Sequence, residues 1–145
     1  MKKKLRIISA ILVVICIGII IGFTLQTADE SSISSGRITA IVAAIFHIDD
    51  TQTLEHTVRK LAHFSEYAVF GIALTWMFRV WHIRKWYMIP VFICLACCDE
   101  FIQRFVPGRG ASVIDVLIDC AGAVCGQFIG KLAAMFHHRK SAFNR

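Results

Sequence analysis

Residues 7–25 read IISAILVVICIGIIIGFTL, a run with neither charge nor proline. As a helix it rises about 28 Å at 1.5 Å per residue, close to the thickness of a bilayer's hydrocarbon core. The rest of the chain agrees. Of its 145 residues 57% are hydrophobic and only 18% charged, and the mean hydropathy is +0.64. A water-soluble domain cannot hide that much apolar surface, so the natural solvent is lipid.

Working outward, three more stretches approach the roughly 20 residues needed to span: about 58–81, 86–105 and 112–136. The fold expected is an all-α integral membrane protein: a four-transmembrane-helix bundle, one domain over residues 1–145, with its first helix at about 7–25. The basic N-terminus (Lys2, Lys3, Lys4, Arg6) followed by an apolar run also suits a signal peptide. No small-x-small cleavage site follows in LQTADE, so a retained anchor is the better reading.

Charge gives the orientation. Lys2, Lys3, Lys4, Arg6, Arg79, Arg84, Lys85, Lys131, Arg139, Lys140 and Arg145 fall at one end, against Arg37, Arg59, Lys60, Arg104 and Arg109 at the other. The basic-rich end is cytoplasmic by the positive-inside rule, which puts both termini inside. All ten carboxylates fall in the outer half. The net charge of +6 is therefore topogenic, and nucleic-acid binding is disfavoured. In the long outer connection Ile38, Ile41, Val42 and Ile45 recur at i, i+3, i+4, i+7. This predicts an amphipathic helix at the outer interface, capped by Ser34 or Ser35.

The polar residues of the spans mark the candidate site. Arg59, His63 and Glu66 share one face of the second span at i, i+4, i+7, flanked by Lys60 and Tyr67. Glu66 lies about 10 Å deeper than Arg59. A carboxylate there must face the bundle interior or a wet cleft. Asp99 and Gln103 share a face of the third span beside Glu100. After the PGRG turn, Asp115 and Asp119 project from one face of the fourth. Gln26 stands at the outer end of the first.

Five carboxylates and a histidine exceed what locking a bundle requires, since intramembrane polar contacts average below about 1 kcal/mol each. Any single pair, such as Arg59–Glu66 or Arg109–Asp115, reads equally well as a structural ion pair. Arg59, Lys60 and Arg109 suit a phosphate, and His63 is read with them as a charged member of that mouth. His63, Glu66, Asp99, Glu100 and Asp115 are the candidates for catalysis, by general acid–base work or around a divalent cation; no other cofactor is expected.

Other features have plainer readings. Gly122, Gly126 and Gly130 form GxxxGxxxG, a packing face within the bundle before a dimer interface. Cys16, Cys94, Cys97, Cys98, Cys120 and Cys125 lie in apolar runs, where a thiol packs as a small hydrophobe. Trp76, Trp81, Trp86 and Tyr87 form a belt at the inner interface, and His137 and His138 belong to a solvated basic tail.

RKLAHFSEY (Arg59–Tyr67), DEFIQRFVPGRGASVIDVLIDCAG (Asp99–Gly122) and FTLQTADESS (Phe23–Ser32) together resemble the VanZ-like membrane proteins. The resemblance spans most of the chain, with Asp119 standing where that family more often has asparagine. It implies a bacterial cytoplasmic-membrane protein, and the family's named member is associated with resistance to the glycopeptide teicoplanin. It brings no established mechanism and no catalytic residues. The function expected is binding of a membrane lipid or lipid-linked wall precursor through its phosphorylated headgroup, with Gln26, Tyr67, Gln103 and Asp119 in support. The alternative is a membrane-embedded enzyme on the same substrate. An ion path is disfavoured because the inner halves of the spans carry no acid.

Overall fold

The computed structural model describes residues 2–143, without the side chains from residue 137 onward. His137 and His138, read above as solvated, lie outside the described side chains. All the described regular elements are helical: α1 (Lys2–Thr24), α2 (Ala28–Phe46), α3 (Thr51–Trp81), a 3-10 turn (Lys85–Tyr87), α4 (Met88–Gln103) and α5 (Val113–Phe143).

Three helices, α1, α4 with its 3-10 turn, and α5, are long and apolar enough to cross a membrane. The charged N-terminal turns of α3 keep it from qualifying alone. It does so only together with α2, from which it departs at a 119° bend.

The bundle is apolar outside as well as inside. On α1 only Ser9, Val13, Ile20 and Thr24 are buried, one stripe of a helix otherwise open to its surroundings. The core gathers Tyr67, Phe70, Leu74, Phe78, Met88, Phe92 and Ala123, with Phe70 edge-on to both Tyr67 (6.4 Å) and Phe92 (6.0 Å).

The glycine repeat sets the tightest contact. A side-chain carbon at Gly122 would run into the Phe64 carbonyl, one at Gly126 into the Ala68 carbonyl, and one at Gly71 into the Ala123 carbonyl. Helices α3 and α5 therefore run side by side in the same direction, backbone against backbone. The repeat is an internal packing face, which brings polar side chains from the N-terminal turns of both helices together.

Helix α2 starts earlier than expected. Thr27, not Ser34 or Ser35, is its cap: the Thr27 hydroxyl accepts from the Glu30 N–H, and Glu30 accepts from the Thr27 N–H at 2.8 Å. Ser31, Ser35 and Thr39 form its buried face, whereas Ile38, Ile41 and Ile45 point outward. The polarity is inverted relative to a helix on a soluble core. The PGRG turn holds the start of α2 in place, since the Ala28 N–H donates to the Pro107 carbonyl at 3.2 Å. Gly108 sits there at φ 75°, a conformation that favours glycine.

Two expectations change. Cys94, Cys97, Cys98 and Cys125 are exposed rather than packed. Trp81 does more than sit in a belt: its indole N–H reaches the Arg6 carbonyl and the Ser9 hydroxyl, both at 3.3 Å, tying the start of α1 to the end of α3.

Candidate functional site

Four helices deliver polar side chains to one end of the bundle. Helix α3 brings Arg59, Lys60, His63, Glu66 and Tyr67, α4 brings Asp99, Glu100 and Gln103, α5 brings Asp115 and Asp119, and α1 brings Thr24. The parallel packing of α3 on α5 sets His63 Nδ1 4.0 Å from Asp119 Oδ1 and Lys60 Nζ 3.9 Å from Asp115 Oδ1.

Asp99 is the best-held acid of the group. The Thr24 hydroxyl donates to one of its oxygens, and the Gln103 amide donates to the other at 3.4 Å. Thr24 takes the place expected for Gln26, whose side chain makes no hydrogen bond among the described residues. Glu100, also buried, accepts the Ser112 backbone N–H at 2.7 Å and so fixes the entry into α5.

Below these lie unpartnered polar atoms. Both carboxylate oxygens of Asp119, Oε2 of Glu66 and the Tyr67 hydroxyl are buried with no hydrogen-bond partner. Burial without a partner costs several kcal/mol for a charged oxygen, so such atoms need a proton, a cation or a ligand's donor groups. One nitrogen of His63 and one oxygen each of Asp99 and Asp119 lie within 4.8 Å of one another. His63 thus has carboxylates of α4 and α5 close by as well as the rim arginines Arg59 and Arg109.

The two pairs proposed as structural locks do not form. Arg59 turns back to Glu55, one helical turn earlier, at 3.2 Å, and donates to the Ser32 hydroxyl at 3.0 Å. Glu55 also accepts from Ser35 at 3.2 Å, so these four residues clasp α2 to α3. Arg109 makes no ion pair with Asp115 among the described residues, and its Nε is buried without a partner. Burial and the neighbouring Arg59 charge hold its guanidinium below the usual value. Two arginines therefore share the rim above a carboxylate cluster, with the half-exposed Lys60 beside them.

Sequence reasoning missed Thr24, Ser32, Ser35 and the backbone at Ser112. The Thr27-x-x-Glu30 capping box was visible as a motif. The Thr24–Asp99 contact joins residues 75 positions apart and had no local signal.

A family model described as VanZ/LLP1 matches residues 9–134, which takes in every residue of this cluster. No curated protein and no solved structure matches the chain.

Proposed function

This chain belongs to the VanZ/LLP1 family, and from that premise we propose that its acidic end is an outward-facing receptor for a phosphorylated lipid headgroup. In this reading α1, α3, α4 with its 3-10 turn, and α5 cross a bacterial cytoplasmic membrane as one unit with both termini inside. Helix α2 lies along the outer interface with its isoleucine face in lipid.

The observation that carries the proposal is Arg109, without an ion pair among the described residues and beside the Glu55-bound Arg59, over carboxylates that lack a partner. Arg59 and Arg109 suit a phosphate, bidentately, with Lys60 as a third, point-like charge. Carboxylates repel a bare phosphate, so Glu66, Asp115 and Asp119 select headgroups that also carry hydroxyl or ammonium donors. Lipid-linked wall precursors and amino- or glyco-phospholipids have that chemistry. Handling or screening such a lipid at the outer leaflet is how we connect this site to glycopeptide, and specifically teicoplanin, resistance.

Binding to purified protein tests it. Arg59→Gln and Arg109→Gln should each weaken binding of a donor-bearing phospholipid about tenfold, the loss of one charge-assisted contact. Equal binding by wild type and both variants would refute the receptor.

Topology has its own test. In a background stripped of native cysteines, an impermeant thiol reagent applied outside should label a cysteine at Thr53 and spare one at Arg84. The reverse pattern would invert the bundle.

His63, Asp99 and Asp119 favour a second reading, a metal-dependent enzyme on the same class of lipid. Their three donor atoms could contract around a divalent cation at about 2.0–2.2 Å. A cation there would polarise a phosphate ester, with Glu66, three residues after His63 on α3, as the candidate acid or base. Stoichiometric metal in purified protein, lost in His63→Ala, would move the protein to this class. Its absence at saturating zinc and manganese would leave the receptor.

A further inference from the structure

The opposite end of the bundle holds a concave site. A cavity of about 700 Å³ opens where α3 gives way to α4 and α5 passes alongside. Arg79, Arg84, Lys85 and Lys131 stand on its wall, with Phe78, Ile83, Met88 and Met135 making the apolar part. A neighbouring cavity of about 520 Å³ shares Arg84, Lys85 and Lys131 and adds Trp86 and Ile89.

No acidic side chain stands in this wall among the described residues. Acids are absent between Glu66 and Asp99 and again after Asp119, and the lining comes entirely from those two acid-free stretches. None of the four cations forms an ion pair among the described residues; Lys131 lies 5.2 Å over the Phe128 ring. Topogenic charge alone needs only basic residues outside the membrane. It does not need them gathered on one concavity with buried Phe78 and Met88 behind.

The local backbone makes the hollow. α3 ends at His82 in the left-handed conformation, with φ 57°, and the Ile83 N–H returns to the Phe78 carbonyl at 2.9 Å. Arg84 is then extended before the 3-10 turn begins. The chain therefore swings out around the end of α3 before re-entering as α4. The exposed Trp86 and Tyr87 on that swing suit the depth of lipid headgroups.

We propose that this cavity binds one anionic phospholipid of the adjacent leaflet, the cytoplasmic leaflet in the orientation given above. Its phosphate lies against Arg84, Lys85 and Lys131, and an acyl chain runs along Ile83, Met88 and Met135. The apolar half of the lining selects a lipid over a soluble phosphate. Volume, a basic rim and a position between helices at the membrane surface are those of known headgroup pockets. This second site is independent of the receptor at the acidic end.

All three tryptophans, Trp76, Trp81 and Trp86, belong to the basic end, so fluorescence reports on this site and not on the distant one. Purified protein is placed in phosphatidylcholine vesicles carrying a minor fraction of bromine-labelled phosphatidylglycerol or bromine-labelled phosphatidylcholine. The labelled anionic lipid should quench about tenfold more effectively at equal fraction. Arg84→Gln/Lys85→Gln/Lys131→Gln should erase that preference. So should Ala134→Phe, which puts an aromatic ring into the cavity and keeps every charge, so that lost topogenic charge cannot explain the result. Equal quenching by the two lipids in wild type would overturn the proposal. So would an unchanged preference in Ala134→Phe, or displacement of the lipid by millimolar glycerol phosphate.

Discussion

Gly126→Leu should leave little folded protein in the membrane. The first carbon of any side chain at this position meets the Ala68 carbonyl of α3, a backbone atom that no rotamer change can move. Overpacking a close-fitted site costs about 1–3 kcal/mol where side chains can adjust. Here the helices must part, and the cost should exceed about 3 kcal/mol, a large share of the roughly 5–15 kcal/mol that typically holds a domain together. Gly122→Leu should behave alike against Phe64, and Gly130→Ala more mildly, since the nearest atom there is the Thr75 side chain at 3.1 Å. Gly36→Ala, with nothing within 4 Å, should be neutral or gain about 0.5–1 kcal/mol from helix propensity. Thermal unfolding in detergent and the monodisperse fraction on size exclusion measure the series. Wild-type melting of Gly126→Leu would mean that α3 and α5 do not meet through their backbones.

That contact also explains what the sequence let one read. GxxxGxxxG is a local pattern, and its meaning as a close-packing face needs no knowledge of the partner. The membrane class follows equally directly from the uncharged run at 7–25, and the cluster of acids at one end from the placement of carboxylates on helix wheels. Pairing was not legible in the same way. Arg59 lies on one face with Glu66, but it also has Glu55 a turn in the other direction and the α2 serines within reach. Which partner wins depends on where α2 docks, and that docking is set by a capping box and by a hydrogen bond to Pro107 across the chain. His63 shares a face with the cations before it in sequence, but the acids that reach it from α4 and α5 leave no local trace. Periodicity gives the face a residue occupies; only tertiary packing says what stands opposite.

Glu66→Gln should separate recognition from stability, and in opposite directions. Oε2 of Glu66 is buried without a donor, so an isosteric amide removes a carboxylate from a crowded acidic cluster and breaks no hydrogen bond. The variant should be as stable as wild type or more so; Asp119→Asn, with both oxygens unpartnered, should be stabilised for the same reason. Asp115 is one-third exposed and 3.9 Å from Lys60, so Asp115→Asn should change stability little. Binding should respond differently. If the carboxylates take hydroxyl or ammonium donors from the headgroup, Glu66→Gln should weaken a donor-bearing phospholipid by about 10- to 100-fold, the worth of one hydrogen bond to a charged group. Phosphatidic acid, which offers a phosphate without those donors, should bind unchanged or more tightly, because a repelling charge is gone. In cells the same variant should lose any teicoplanin phenotype while remaining in the membrane at normal level. A Glu66→Gln protein that unfolds would make this carboxylate a structural lock. One that weakens both lipids equally would place Glu66 in general support of the rim arginines and remove it from headgroup selection.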